Sequence, residues 1–509
     1  MKKNFYATDW QKYIPEPVCE QFSQYGELYD KAWDLARAHV KEIPGMPQTP
    51  YMDEAFCDTQ IWIWDTCFMT LFCKFAQEVF PGKESFSNFY EPIHNGTKLP
   101  MVIPTDKEPK WTLAIPNQPF HIQVHIADNP PLFAWAEYEN ALYHGDKEYL
   151  KDLLDNKQVL QKHYDWFENL KEPVQLPNVR CVTCLESTKD GFKWEGGRSG
   201  MDNTPRGRLS SFTVEDRPNN PDMLWIDAIC QQALSAKCIA DMYELLGNEA
   251  KAEPWRKKYN EKKEIVNRLY WDEQDKFYYD IDCNDHHFYK VQTIASYWAM
   301  TAGIATKEQA EYLVKMVSDP ETFGGEVPLV SLARNDTDYS PTGKYWRGGV
   351  WLPTAYAALK GLANYGFYEE AHSAACKIVE HMFKTYKHYE PHTIWETYAP
   401  VLPTPAMQID DEEVVRPDFC GWSALGPISI YLEYVLGFHT VNAFKNVVEW
   451  AKPKDILGEI GVKNLRFRNV ITDIVANENV CTVTSNQPYS LNVNGKTFAV
   501  QAGENTFQL

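Results

Sequence analysis

The 509-residue chain has no long apolar run, no surplus of basic charge and hardly any paired-cysteine pattern. The charge-free stretch Val291 to Thr306 is short and interrupted by Gln, Thr and Ser, which excludes a transmembrane helix. Lys and Arg number 50 against 70 Asp and Glu, a net charge of −20. Such a field repels phosphate backbones and anionic lipid, so neither nucleic acid nor a membrane is expected as a partner. The 12 cysteines are irregularly spaced in hydrophobic surroundings and read as free buried thiols. Cys181-Val-Thr-Cys184 is the single CxxC and lacks a second pair, so it reads as two loop cysteines and no metal site is expected. There is no P-loop, no GxGxxG before a helix, no GxSxG and no short-period repeat. The opening MKKNFYATDW lacks the apolar core of a signal peptide, so a cytoplasmic location is expected unless a leader was removed ahead of residue 1.

Aromatic residues are abundant: 25 Phe, 17 Trp and 29 Tyr make 14% of a chain that is 44% hydrophobic, the profile of a folded protein. Apolar residues recur at helical spacing over about 24–42, 61–80, 131–145, 147–170, 222–247, 249–270, 289–303, 306–318, 348–364, 367–387 and 421–437. From Asp222 to Leu234 the apolar positions fall almost all round the helix, which suits an inner layer, whereas Ala250 to Arg268 is polar on one side and suits an outer one. Alternating inner and outer helices predict an all-α toroid with one concave end. Long loops rich in Pro, Gly, Trp and Asn at 81–130, 171–221, 319–347 and 388–420 are of the kind that carries function. After about residue 455 the period changes to short β-type runs at Leu465 to Val475, Val480 to Thr484, Tyr489 to Val493, Thr497 to Gln501 and Thr506 to Leu509, with a hairpin signal at Asn494-Gly495. The expected organisation is a helical domain over 1–455 and a small β module over 456–509.

Polar groups set among aromatic residues mark the chemistry, because sugars lay C–H faces on aromatic rings and offer hydroxyls to carboxylates, amides and guanidinium groups. Trp62-Ile-Trp64-Asp65, Trp194-Glu195, Met201 to Arg206, Tyr345 to Trp351 and Trp395 to Tyr398 have this mixture. Each Trp alone reads equally as core packing, Asp202 as a turn residue capping a helix, and Arg206 and Arg347 as loop-to-carboxylate salt bridges. His121 and His125 have helical metal-ligand spacing, but Pro119 and the β-branched run favour extended chain, and His286-His287 reads as a loop pair.

Ser199-Gly200-Met201-Asp202-Asn203-Thr204-Pro205-Arg206, Trp346-Arg347-Gly348-Gly349-Val350-Trp351, Trp395-Glu396-Thr397-Tyr398-Ala399-Pro400 and Phe419-Cys420-Gly421-Trp422-Ser423-Ala424-Leu425-Gly426-Pro427, with Trp64-Asp65 and Asn129-Pro130-Pro131, occur in one order over roughly residues 55 to 440. In these elements the chain resembles the mannosylglycerate hydrolase-like and processing-glucosidase-like enzymes of glycoside hydrolase family 63, with trehalases as more distant relatives. The resemblance implies an (α/α)6 barrel and an inverting glycosidase. It places Asp202 at the general acid and Glu396 at the general base, and Trp64, Asp65, Trp194, Arg206, Trp346, Arg347, Trp351 and Trp422 around the sugar. An acid role asks for a protonated Asp202, and a base role for a hydrated, hydrogen-bonded Glu396. Arg198 stands where the family usually has Glu, Asn129 where relatives often have Gln, and Trp395 to Tyr398 replaces a more polar sequence, so the leaving-group subsite is expected to differ.

The expected activity is exo-acting hydrolysis, without a cofactor, of a terminal α-linked glucose or mannose from a small carbohydrate. A sugar epimerase or polysaccharide lyase on a similar toroid is the alternative enzyme and needs a His or Tyr base. A non-catalytic carbohydrate-binding protein is the third reading.

Overall fold

The computed structural model describes residues 3–43, 46–54, 60–90, 99–104, 112–114, 121–123, 129–171, 185–207 and 220–509. Cys181, Cys184 and His125 lie outside the described residues.

The helices follow their apolar patterns. Ile63–Cys73 is buried along its whole length, Phe133–His144, Ile226–Leu245 and Leu352–Asn364 over most of their circumference, and the π-helical Gly426–Val435 at every position. Other helices have one apolar stripe. Gly26–Ala38 buries Leu28, Tyr29, Ala32, Trp33 and Leu35, while Lys307–Ser318 buries Ala310, Leu313, Val314 and Val317 behind a Thr306/Gln309 capping box. Glu249–Leu269 buries only Ala252 and Val266 and packs beside Ile226–Leu245, its start capped by the Asn248 side chain on the Lys251 N–H. An inner and an outer layer of helices result, as the two kinds of apolar pattern predict.

Three expected helices are interrupted. The run over 147–170 splits into Lys147–Lys151, a π-helical turn Asp152–Lys157 and Val159–Asn169, with Gln158 left-handed at φ 54°. The run over 289–303 is helical only across Ile294–Tyr297 and Trp298–Thr301. Before it Phe288–Tyr289 is a strand paired with Asp280–Asp282, and Thr293 bridges Leu332. The run over 421–437 begins as a 3-10 turn, Ser423–Leu425, before its π-helix.

Inside the body, facing side chains join the inner helices through charge. Lys74 Nζ lies 2.6 Å from Glu433 Oε1 and 3.4 Å from Glu139 Oε2, Lys360 Nζ lies 2.9 Å from Glu139, and the Tyr356 hydroxyl donates to Glu433 at 2.9 Å. Every charge of this group is paired, as burial demands.

A five-stranded antiparallel sheet absent from the sequence expectation runs in the order Phe288–Tyr289, Asp280–Asp282, Met223–Leu224, Phe192–Lys193, Glu186–Ser187. Strands of two or three residues show no period. At the C-terminus one sheet has the order Glu16–Cys19, Ile460–Phe467, Val470–Ala476, Val480–Ser485, Gly503–Gln508, and a second has Thr440–Asn442, Val447–Trp450, Tyr489–Val493, Lys496–Val500. The run Leu465 to Val475, expected as one strand, spans two, because Arg468 turns left-handed at φ 49° and closes a hairpin pairing Phe467 with Val470. Asn494 and Gly495 form the expected hairpin, both at positive φ, with Val493 opposite Lys496. Strand structure starts at Thr440, ahead of residue 456, and takes in the N-terminal segment Glu16–Cys19.

Candidate active site

The Asp202 loop is pinned on both sides of that residue. The short helix Gly196–Ser199 is capped by the Glu195 carboxylate on the Gly197 N–H, and Gly200 follows at φ 81°, where an added Cβ would stand 2.8 Å from the Trp64 ring. Only glycine combines that backbone with that contact. Asn203 then staples the turn to the next segment: its amide donates to the Lys344 carbonyl at 2.9 Å and its oxygen accepts from the Trp346 N–H at 2.7 Å. Asp202 itself remains half-buried between these anchors.

The Tyr345 segment is held in left-handed backbone at Lys344 and Tyr345, φ 34° and 63°. This turn sends the Tyr345 hydroxyl to Glu396 Oε1 at 2.8 Å, while its carbonyl accepts from Trp351 Nε1 at 3.0 Å. Glu396 is 1% exposed. Arg416 reaches it twice, by Nη1 on Oε1 at 3.3 Å and by its backbone N–H on Oε2 at 3.4 Å. The Glu396 carbonyl accepts from Trp422 Nε1 and Ser423 Oγ at 2.9 and 3.0 Å. Against the hydrated setting expected for Glu396, the carboxylate is buried, and Tyr345 and Arg416 supply hydrogen bonds to it. Burial pushes its pKa up, and Arg416 and Tyr345 pull it back.

Aromatic rings from distant segments form one wall. Trp346 stacks on Trp351 at 4.1 Å, Trp351 meets Trp422 at 5.7 Å, and Trp422 meets Trp64 at 6.1 Å. Beside Trp64, Asp65 lies in the first turn of Ile63–Cys73, buried. Burial raises its pKa well above the carboxylate range, the charges of Glu396 and Asp202 add to the rise, and Arg416 opposes it. The charges of Glu396 and Asp202 likewise add to the burial that holds Tyr345 protonated. Asp65, Asp202, Glu396, Tyr345 and Arg416 thus share one electrostatic neighbourhood. A Tyr345 hydroxyl that donates to Glu396 and is held protonated is the opposite of the tyrosinate base that a lyase or epimerase needs.

Two residues expected at the sugar are placed elsewhere. Arg206, 1% exposed, closes on Asp227 through Nη1 and Nη2 at 2.8 and 2.9 Å and on Asp280 through Nε and Nη2 at 2.7 and 2.5 Å, with its plane 4.3 Å over the Trp225 ring. Its donors are saturated inside the protein, so the salt-bridge reading describes it. Trp194 is 1% exposed and packs edge-on against Phe167 and Trp225, which is core packing. Arg347 is divided, bonding the Asn203 carbonyl at 3.3 Å and Asp338 at 2.9 Å while staying partly exposed. Arg198 is buried and lies 3.8 Å from Glu195, and Asn129 donates to the Arg198 carbonyl.

Tyr345 and Arg416 are absent from the set the sequence predicts. Tyr345 carries a signal, since it opens the Tyr-Trp-Arg run, whereas nothing in the sequence around Arg416 distinguishes it. Glu54 is a third such residue: it accepts from the Trp62 N–H, its carbonyl receives the Gly421 N–H, and burial together with Asp65 and Asp53 holds its carboxyl well above the ordinary range. Among the described residues, Asp282, Asp285 and His287 are close enough to share a metal ion, but Asp282 already accepts from the Asn284 N–H and the Tyr289 hydroxyl. His286 and His287 sit in a loop, on Asp190 and Asp285 respectively.

The mannosylglycerate hydrolase MGH1-like glycoside hydrolase domain matches residues 60–405. An uncharacterized protein of Borreliella burgdorferi is 24% identical over 356 residues, 68% of this chain and 67% of that protein. A cytosolic neutral trehalase of Kluyveromyces lactis is 26% identical over 193 residues, 37% of this chain and 26% of the trehalase, so the likeness spans about a quarter of that relative. In three dimensions the GH63 mannosylglycerate hydrolase of Thermus thermophilus, solved with glucose, is similar with a TM-score of 0.58 at 17% identity, covering 79% of this chain and 99% of that one.

Proposed function

Since this chain belongs to the mannosylglycerate hydrolase MGH1-like family and is a glycoside hydrolase, we propose that it is an inverting, exo-acting enzyme that removes a terminal α-linked glucose or mannose from a small carbohydrate. The observation that carries this reading is the grouping of Asp202, Glu396 and Asp65 against the Trp346, Trp351, Trp422 and Trp64 wall. We take the inner and outer helices to close into an (α/α)6 barrel with this cluster at its mouth.

In the proposed reaction Asp202, half-buried and presented by a pinned turn, donates its proton to the leaving glycosidic oxygen. Glu396 takes a proton from the water that attacks the opposite face of the anomeric carbon. Arg416 and Tyr345 favour its ionised form against burial and aim it. Asp65 holds sugar hydroxyls, and Trp64 and Trp422 offer faces to the ring. A neutral sugar suits a chain of net charge −20.

The test is a screen of α-linked disaccharides and glycosides, with the anomeric configuration of the released sugar followed by NMR. Asp202→Asn and Glu396→Gln are each expected to lower kcat by about 10²–10⁴-fold or more. Undiminished activity in either variant overturns the assignment of roles. A product that keeps its configuration overturns inversion.

A further inference from the structure

A groove of about 900 Å³ lies where the start of helix Tyr368–His388 meets the sheet Thr440–Asn442, Val447–Trp450, Tyr489–Val493, Lys496–Val500. Its size is that of a small-molecule site. It is remote from the cluster around Glu396. The helix of 21 residues is about 30 Å long at 1.5 Å per residue, and the groove lies at its first turn. Glu396 belongs to the far end, where Trp395 packs on Tyr389 at 5.5 Å.

Three features of the lining agree on one kind of ligand. Tyr368 is 37% exposed and stacks on His439 at 4.6 Å, a fixed aromatic platform open on its outer side. The sheet then continues the platform with hydrogen-bonding side chains. Strands Val447–Trp450 and Tyr489–Val493 run parallel with Glu449 opposite Asn492, and Glu449 is also opposite Thr440. Paired residues share a face, so Glu449 and Asn492, both on the groove, form a polar pair at the strand spacing of about 4.8 Å, on the order of one sugar ring. Val448, Trp450, Leu491 and Val493 are buried on the other face. Lastly, the charges of the lining are of both signs: Lys454 pairs with Glu369 at 3.0 Å and His372 with Asp455 at 3.2 Å, and Lys452 stands among Glu370 and Glu449. With charges of both signs the lining favours no ligand of one net charge, whereas sugar hydroxyls can donate to the Glu449 carboxylate and bond the Asn492 side chain.

We propose that this groove is a second carbohydrate-binding site, taking a neutral oligosaccharide, with Tyr368 as its stacking platform and Glu449 and Asn492 as hydroxyl partners. It holds sugar without acting on it and does not depend on the roles given to Asp202 and Glu396.

The test titrates maltoheptaose, cellohexaose and mannohexaose into the full-length chain carrying Asp202→Asn, which prevents turnover. At least one is expected to bind, with Tyr368→Ala weakening binding by about ten-fold, the worth of one aromatic contact, and Tyr368→Phe retaining it. Far-UV dichroism checks that the variants fold, as a change at an exposed side chain permits. In the chain with Asp202 intact, Tyr368→Ala is expected to leave kcat on a small glycoside unchanged. Absence of binding by all three probes overturns the proposal. So does binding that survives Tyr368→Ala and is lost with Trp346→Ala, since the sugar is then in the pocket of Glu396.

Discussion

The loop that carries Asp202 and the loop that carries Glu396 bury these residues to different depths. Around Asp202 the neighbours are fixed, with Asn203 bridging to Lys344 and Trp346 and Arg206 locked to Asp227 and Asp280, and Asp202 between them is half-buried. In the Glu396 loop the carboxylate is held by Tyr345 and Arg416 and is buried. A group that gives a proton to a departing oxygen needs access, while one that takes a proton from a single water needs aim. The contrast thus matches the roles proposed for the pair.

The comparison can be broken most severely at Arg206. Arg206→Ala leaves Asp227 and Asp280 buried without their cation, and a loss of about 3–5 kcal/mol is expected in urea unfolding. If KM rises with stability unchanged, the arginine serves the sugar instead. On the gripped side, Tyr345→Phe removes one hydrogen bond to a charged acceptor, about 1.5–3 kcal/mol, and should appear as a ten- to hundred-fold lower kcat with little change in KM. A smaller structural effect is expected for Gly200→Ala, about 1–2 kcal/mol of stability from the left-handed backbone, with Trp64 displaced.

The electrostatic predictions sharpen rather than break the contrast. Arg416 favours the ionised form of Glu396, so Arg416→Gln raises the pKa of Glu396 further. The acidic limb of the kcat/KM profile should therefore move to higher pH, while the alkaline limb stays in place. Asp65 supplies a stability readout. Its folded pKa lies above its unfolded one, so the native state binds a proton the unfolded chain has released. Stability is then full below the ordinary carboxylate range and declines as pH rises through the folded pKa. Asp65→Asn should flatten that decline in a series of thermal melts across pH.

Much of this was legible in the sequence because burial on every side writes itself into composition. The segment expected as an inner helix from Asp222 is helical from Ile226, Met223–Leu224 being a strand instead, and Ala250 to Arg268 lies within the one-sided helix Glu249–Leu269. The segments bearing Asp202, Glu396, Trp346 and Trp422 were marked by aromatic and polar residues in alternation. What stayed hidden depends on partners far along the chain. An arginine looks the same whether it faces a hydroxyl or a carboxylate, and Arg206 meets Asp280 across 74 positions. Trp194 has the neighbours of a binding residue in sequence and those of a core residue in space. The five-stranded sheet escaped because each strand is too short to alternate.

The paired charges of Lys74, Glu139, Lys360 and Glu433 have a consequence for how the chain can be assembled. Their carriers range from residue 74 to residue 433, and Lys74 joins the Glu139–Lys360 pair to Glu433. A fragment ending before Gly426 would leave Lys74 buried without Glu433, and one starting after Ala76 would strand Glu433 in turn. The helical body therefore has no natural cut point. It is expected to fold and unfold as one cooperative unit, and deletions that look modest on paper should cost the whole of it.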